Sequence, residues 1–418
     1  MDAHASAPWP HRLLDVPALR HEGVQPAPFE QFVLKLHSRC NLLCTYCYVF
    51  NATDDSWRGR PPQVRQDVLE RSAVRIGEHV ATHKLRRIRV ELHGGEPLLG
   101  GVDTALKQVS CVREVVRAAA GAPCDVRVSV QTNGTLLTED VVRALAAADV
   151  QVGVSLDGGR ADHNKRRVDH AGRPAWEAAT RGIARLARHP EIYAGLLCTI
   201  DLDMDPADVY DSLMEFGPQA LDFLLPHANW EYPPPGKGPS MAGSAPYGEW
   251  LSHVFDRWFD SGRYRTRIRL FAEIIGLLYG FPSRAEAVGL SAVVAVLVET
   301  DGSIEQVDSL KTAYAHAPST GMTIFENSFD DVLEHPGIAA RQLGADGLGE
   351  DCRRCPVVRI CGGGNYVHRY RKGSGFLNRS IYCSDLELLI RHIAHKMEPV
   401  LGSDSLMPDL GPLSLPAG

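Results

Sequence analysis

The chain has 418 residues, 44% hydrophobic and 23% charged, with a formal net charge of −7. These are the proportions of an ordinary globular protein with a sizeable core, and the length prior allows two or three domains. The acidic balance gives no support for nucleic-acid binding through a basic surface. No run reaches the eighteen or so apolar residues of a membrane span. The N-terminus, with Asp2, His4, Pro8, Pro10 and His11, lacks the basic-then-apolar layout of a secretion signal. The expected location is cytoplasmic, with neither nucleic acid nor membrane as a partner.

Residues 1–30 are rich in Pro, Ala and His without periodicity and read as an N-terminal arm, loose or clamped. From residue 31 strand and helix signals alternate. Strands are expected at 31–37, 87–93, 125–131, 150–156, 193–200 and 220–226. Helices are expected at about 65–83, 102–120, 138–148, 174–188 and 206–216, with starts at Thr138-Glu139-Asp140 and Pro206-Ala207-Asp208. Such β/α repetition implies a parallel sheet with helical crossovers. There are too few units for a closed barrel, so the fold class is α/β, an open partial (β/α)6 barrel over 31–245. Its functional groups belong at the carboxyl ends of the strands.

The residues meet that requirement. After the first strand comes Cys40-Asn41-Leu42-Leu43-Cys44-Thr45-Tyr46-Cys47, a C-x3-C-x2-C run. The second strand leads to His93-Gly94-Gly95-Glu96-Pro97, and the third to Gln131-Thr132-Asn133-Gly134-Thr135. The fourth carries Ser155-Leu156-Asp157-Gly158. Three thiolates cannot complete the ligand shell of a zinc or a cubane cluster, so one metal position stays open to a small molecule, which is a catalytic arrangement. A zinc knuckle with its remaining ligand elsewhere is the alternative. Two glycines allow close approach of backbone to a ligand, and strand-end carbonyls with a carboxylate can accept from an ammonium group.

Residues 228–248 are crowded with Pro and Gly and read as a linker that carries Trp230 and Tyr232. A helical bridge over 246–290 follows, with helices at about 247–261 and 266–280. Residues 293–298 and 304–307 read as a hairpin turned at Asp301-Gly302. This hairpin opens a second domain over 291–400, closed by a helix at 384–398. Residues 401–418 read as a disordered tail. Within the second domain Cys352-x2-Cys355-x5-Cys361 and Cys383 offer enough thiolates to close a cluster with none left for substrate. Zinc is again the alternative, since C-x2-C pairs are common zinc ligands. Cys111, Cys124 and Cys198 stand alone in apolar surroundings and read as inert packed thiols.

The cysteine run, with an aromatic before its third cysteine, resembles the radical S-adenosylmethionine (radical SAM) enzymes. The resemblance implies a [4Fe–4S] cluster on Cys40, Cys44 and Cys47 whose open iron chelates SAM. It further implies SAM contacts from Tyr46, His93, Gly94, Gly95, Glu96, Gln131, Asn133, Ser155, Asp157 and Arg167. Arg167 matches an arginine that meets the SAM carboxylate in the sulfatase-maturing branch. The C-terminal pattern resembles the SPASM extension, in which Cys352, Cys355, Cys361 and Cys383 would hold one auxiliary [4Fe–4S] cluster. The hairpin at 293–310 has no cysteine and Asn365 stands where a further cysteine belongs, so an inner auxiliary cluster is not expected.

The runs Val298–Glu305, Asp308–Lys311, Cys361–Gly364 and Asn378–Cys383 look like the FxsB-type maturases, a similarity over about residues 30–395. Those relatives are implied to build three-residue cyclophanes in ribosomal precursor peptides. They join an aromatic ring carbon to the β-carbon of a residue two positions on, and draw electrons from a flavodoxin- or ferredoxin-type donor. Loss of the ring proton needs a base within reach, and Asp308, then His227 and Asp222, are the candidates. A thioether- or ether-forming maturase and a formylglycine-forming sulfatase maturase are the alternatives within radical chemistry. An iron–sulfur scaffold without catalysis is the alternative outside it.

Overall fold

The computed structural model describes residues 3–119, 123–238, 243–262 and 265–399. Six parallel strands follow one another in chain order across the sheet: β1 (Gln31–His37), β2 (Arg87–Gly94), β3 (Asp125–Thr132), β4 (Val150–Ser155), β5 (Tyr193–Thr199) and β6 (Ala220–Leu224). The crossovers are the helices α1 (Gln66–His83), α2 (Val102–Ala119), α3 (Glu139–Ala147), α4 (Trp176–Leu186) and α5 (Pro206–Met214). Their starts are fixed locally. The Thr138 hydroxyl accepts from the Val141 amide, and the Asp205 carboxylate accepts from the Asp208 amide, which satisfies donors that a helix leaves unpaired. Phe32, Leu34 and Leu36 of β1 pack outward with Val68, Ala73, Ile76 and Val80 of α1 in one core. Alternation along β1 therefore turns Val33 and Lys35 to the inner face.

The sheet continues beyond the repeats. β7 (Arg267–Ile268) pairs parallel with β6, where the sequence had suggested the first turn of a helix. The helix itself is α7 (Arg269–Leu278), preceded by α6 (Pro246–Asp260). On the other side β8 (Ala295–Val298) pairs parallel with β1, in register from Gln31 with Ala295 to Leu34 with Val298. β9 (Ser303–Glu305) returns antiparallel through a turn in which Gly302 takes φ +89°, and β10 (Ser319–Thr323) forms the far edge. The expected hairpin is present, yet it belongs to the barrel's own sheet and not to a separate layer. An unpaired β1 edge would offer a row of open backbone donors and acceptors, and β8 covers it.

The N-terminal arm is clamped. Ala7 and Trp9 lie in a second apolar core with Leu310, Tyr314, Tyr366, Tyr370 and Phe376. The closing helix α8 (Cys383–Met397) packs on α6. The tail expected over 401–418 lies outside the described residues.

Candidate active site

Cys40, Cys44 and Cys47 sit on the half-buried loop after β1. The loop is held on two sides. The Leu43 amide donates to the Val168 carbonyl at 2.7 Å and the Thr45 amide to the Arg166 carbonyl at 3.0 Å, while the Gly95 and Glu96 amides donate to the carbonyls of His37 and Arg39 at 2.8 and 3.0 Å. Gly94 and Gly95 are needed for this closure. A Cβ on Gly94 would stand 2.4 Å from the His37 carbonyl oxygen, and one on Gly95 2.5 Å from that of Arg39. Their bare side is therefore filled by the cysteine loop, which adds a packing reason to the ligand-approach reason read from the sequence.

Burial pushes the Cys40 thiol up to about 12 and the Cys44 thiol to about 11, and their thiolates repel one another. Such thiols ionise only with a cation supplied among them. The Leu42 amide and the Asn133 side-chain amide already point at Cys40 Sγ, at 3.4 and 3.7 Å. Among the described residues, no cysteine belongs to a group whose ligand atoms all lie within 4.8 Å of one another. One zinc ion with bonds of about 2.3 Å draws its thiolates closer than that, so the spacing fits a polynuclear cluster better.

The strand ends beyond the loop form one hydrogen-bonded surface. Glu96 is fully buried, and its carboxylate accepts from the Leu98 amide at 3.1 Å, the Thr132 hydroxyl at 2.8 Å and the Asn133 amide at 2.8 Å. It thereby ties β2 to β3, so a SAM ammonium would meet mainly the carbonyls around it. Gln131 donates to the Ser155 hydroxyl at 3.0 Å, which pairs β3 with β4 inside the barrel. Asp157 is buried and accepts from the Tyr46 hydroxyl and, at 3.0 Å, from the Thr199 amide. Arg167 donates to that same tyrosine oxygen at 2.8 Å. With only 6% of its surface exposed, Arg167 is no solvated charge; the solvated cation is its neighbour Arg166, bound to Asp201 and Asp203. Asp157, Tyr46 and Cys44 all draw on the Arg167 guanidinium, which offsets the burial of each.

The inner wall beside β1 holds the base candidates. Asp308 is buried 2.5 Å from the Lys35 ammonium. That cation, with Lys311 and His93, holds its carboxyl down to about 2 despite burial. Its Oδ1 has no hydrogen-bond partner, and neither has His93 Nδ1. His227 lies close by, its ring centroid 4.6 Å from that of Tyr48, and burial takes it down to about 4. Asp222 is occupied differently, accepting from Arg269 Nε at 2.8 Å. Asp308 and His227 thus lie beside Tyr48 next to Cys47, with His93 near Asp308, whereas Asp222 serves an ion pair. Trp230 donates from its indole to the Arg379 carbonyl at 2.7 Å and packs, while Tyr232 is half exposed.

Cys352, Cys355, Cys361 and Cys383 also converge. Burial pushes Cys361 up to about 12 and Cys383 to about 11, and each feels Cys352 and Cys355. The two cysteine sets are joined by a row of rings, two half-buried and two buried. Tyr48, His227, His368 and Tyr382 follow at centroid separations of 4.6, 5.7 and 4.8 Å, from the neighbour of Cys47 to the neighbour of Cys383. Sequence reasoning missed Lys35, Tyr48, Lys311 and His368. Lys35 carried a visible signal, a lysine inside the apolar run Phe32-Val33-Leu34-Lys35-Leu36, and Lys311 lay within the family-like run Asp308–Lys311 without a role of its own.

Residues 34–205 match the model of the Radical SAM superfamily. The chain carries a radical SAM domain. The cysteine-type anaerobic sulfatase-maturating enzyme of Clostridium perfringens is 24% identical over 360 residues, 85% of this chain and 94% of that one. The serine-type enzyme of Klebsiella aerogenes is 25% identical over 401 residues, 88% and 89% of the two chains. Among solved structures, anSMEcpe with bound AdoMet and a Cp18Cys peptide superposes with a TM-score of 0.73 at 23% identity, over 88% of this chain and 98% of that one. Streptococcus suis SuiB bound to precursor peptide SuiA gives 0.57 at 14%, over 88% and 78%. These likenesses extend the radical SAM fold through the C-terminal region. The protein is a radical SAM enzyme, and a [4Fe–4S] cluster with SAM is the cofactor set of that superfamily. Cys40, Cys44 and Cys47 fit the cluster, and the four C-terminal thiols fit a closed auxiliary one. No helix among the described residues is long and apolar enough to cross a membrane.

Proposed function

We propose that this radical SAM enzyme is a maturase of a ribosomally made peptide. It removes a β-hydrogen and joins that carbon to an aromatic ring carbon two residues away, giving a three-residue cyclophane. When bound, the cofactors supply a 5′-deoxyadenosyl radical for the hydrogen abstraction and a one-electron acceptor for the ring's rearomatisation. The protein's share is to hold the β-carbon and the arene at attack distance in a dry barrel and to take the ring proton.

The observation that carries the reading is Asp308. Its free Oδ1 is buried on the inner wall, near enough to Cys47 to influence that thiol's ionisation. Asp308 is held as a carboxylate by Lys35, ready to accept a proton from an acidic ring C–H. Tyr46, Asp157 and Arg167 form a charge-matched group suited to the polar end of SAM. Gly94, Gly95, Gln131, Asn133 and Ser155 supply the surrounding backbone and side-chain polar groups. His227, packed on the Tyr48 ring, is the second candidate to take the ring proton. A flavodoxin- or ferredoxin-type protein delivers the electron that starts each turnover.

The curated relatives favour a second reading, oxidation of a Cys or Ser side chain to formylglycine. One experiment separates the two. The reconstituted enzyme is given a set of short ribosomal-type peptides with an aromatic residue two positions before a polar one and, separately, a sulfatase-derived peptide. Loss of two hydrogens from the first, with fragmentation blocked between residues two apart and a new aryl–alkyl carbon bond by NMR, supports the cyclophane. An aldehyde trapped by hydrazine on the second peptide, with the first untouched, replaces it with formylglycine formation.

A further inference from the structure

Behind Asp308 lies a buried charge network that the reading above leaves without a task. Lys311 is fully buried. Its ammonium stands 3.5 Å from Asp54 Oδ1, 3.5 Å from Glu305 Oε2, 3.7 Å from Glu299 Oε1 and 4.0 Å from Asp308 Oδ1. It makes no hydrogen bond to any of them, and Glu305 Oε2 and Asp308 Oδ1 have no other partner. Carboxylate oxygens of Glu299, Glu305 and Asp308 converge within 4.8 Å, but the lysine ammonium supplies their cation, so they are not a metal site. Arg60 closes the outer side, 2.5 Å from Glu305, 3.4 Å from Glu299 and 3.6 Å from Asp301. Asp301 is 35% exposed and meets solvent.

The charges do not balance. Four buried carboxylates, Asp54, Glu299, Glu305 and Asp308, face three buried cations, Lys35, Arg60 and Lys311. A buried group with one excess negative charge favours binding a proton. Burial and the neighbouring carboxylates place that proton on Glu305, whose carboxyl is pushed up to about 7, while Lys311 and Arg60 pull the other way. The groups facing this cluster are Lys35 of β1, His93 of β2, Glu299 just after β8, Asp301 of the hairpin turn, and Asp54 and Arg60 of the loop after the cysteines.

We infer that Lys311 and Glu305 are the proton outlet of Asp308, carrying the proton off the barrel wall to the Glu305 carboxylate. The inference rests on Asp308 being the base. In the transfer Asp308 gives its proton to Lys311 Nζ as Lys311 gives one of its own to Glu305 Oε2. The ammonium is unchanged and the carboxyl has moved from one residue to the other. The gaps of 4.0 and 3.5 Å lie within the swing of a flexible four-carbon stem with rotatable donors. Glu305 accepts only while it is a carboxylate, so transfer speeds up as pH rises through about 7.

Glu305→Gln and the matched control Glu299→Gln, which removes the same charge from the same network, test this in the reconstituted holoenzyme. The readouts are crosslinked product per 5′-deoxyadenosine formed, and the protonated-carboxyl infrared band compared between about pH 6 and about pH 8. Glu305→Gln is expected to form 5′-deoxyadenosine normally, to lose about tenfold in product per abstraction, to lose the pH limb and to lose the band. Glu299→Gln removes a carboxylate that raises Glu305, so it is expected to keep its product per abstraction and to keep limb and band displaced to lower pH. A merely structural network would make the two variants alike, and that result overturns the outlet, as does a limb or band that survives in Glu305→Gln. If wild type forms no crosslink, the function proposed above fails. The infrared band then decides by itself whether Glu305 stores the proton.

Discussion

Alanine at Gly95 tests how tightly the cysteine loop is fixed to the second strand. Its methyl would stand 2.5 Å from the Arg39 carbonyl carbon and oxygen and 2.6 Å from the tip of the Phe50 ring. Ordinary contact begins near 3.4 Å, so Arg39 would have to retreat by roughly 0.9 Å. It has little freedom to do so. Its carbonyl accepts from the Glu96 amide, and its guanidinium donates to Ser38 and to the Trp57 and Arg58 carbonyls. Overpacking against such backbone costs about 1–3 kcal/mol, a fall in Tm of a few degrees at this chain length. Because Cys40 is the next residue, the same displacement lowers iron uptake. The control is Gly59→Ala, where nothing lies within 4 Å of the new methyl and φ is ordinary. Thermal melts and iron analysis of both variants after anaerobic reconstitution give the answer. Equal Tm and iron for the two would refute the reasoning that the Gly-Gly pair is a packing requirement of the loop.

Arg167→Met leaves Asp157 buried without its cation and is expected to cost about 3–5 kcal/mol. Adding Asp157→Asn should recover part of that loss, and strictly additive denaturation energies would argue against the pairing. Acid should destabilise the fold through His79 and His227, both taken down to about 4 from 6.5 by burial. The unfolded chain binds protons first as pH falls, so their contribution is whole above about 6.5 and is lost toward 4. At pH 5 the loss is about 2 kcal/mol for each, and His227→Phe should flatten the pH dependence of urea unfolding by about that amount. Reconstituted wild type should hold about eight irons and Cys352→Ala/Cys355→Ala about four; about four irons plus zinc in wild type would make the second site structural, and about twelve would mean that other residues complete an inner cluster. A chain ending at residue 290 lacks β8, so it exposes the β1 edge and leaves Lys35 without Asp308; it should be insoluble, and a soluble product with cooperative melting would contradict that.

The barrel was legible because its signals are local. Alternation of apolar residues, Thr138 and Asp205 at helix starts, and polar runs at strand ends each lie within a few residues of what they determine. The two cysteine sets were legible for the same reason, since their spacing is the motif. What stayed hidden depends on long-range pairing. Lys311 meets Asp54 across 257 positions of sequence (311 − 54), and Asp308 meets Lys35 across 273 (308 − 35). Neither pair leaves a periodic trace. The Pro-Gly linker read as separating two domains, and the hairpin after it read as the start of the second. Nothing in its composition announces that its first strand pairs with β1.

That pairing explains why Asp308 and the cysteine loop lie near one another. β1 delivers the cysteines from its carboxyl end, and β8 runs parallel beside it, so the hairpin turn lies at that end; β9 runs back for only three residues, and the segment after it sets Asp308 beside Lys35. Lys35 is the counterpart on β1. A lysine on the inner face of a buried strand would be strongly disfavoured alone, and it is tolerated because the neighbouring strand returns a carboxylate to it at 2.5 Å. The hairpin therefore both covers the β1 edge and leads the chain to the buried carboxylate that neutralises Lys35.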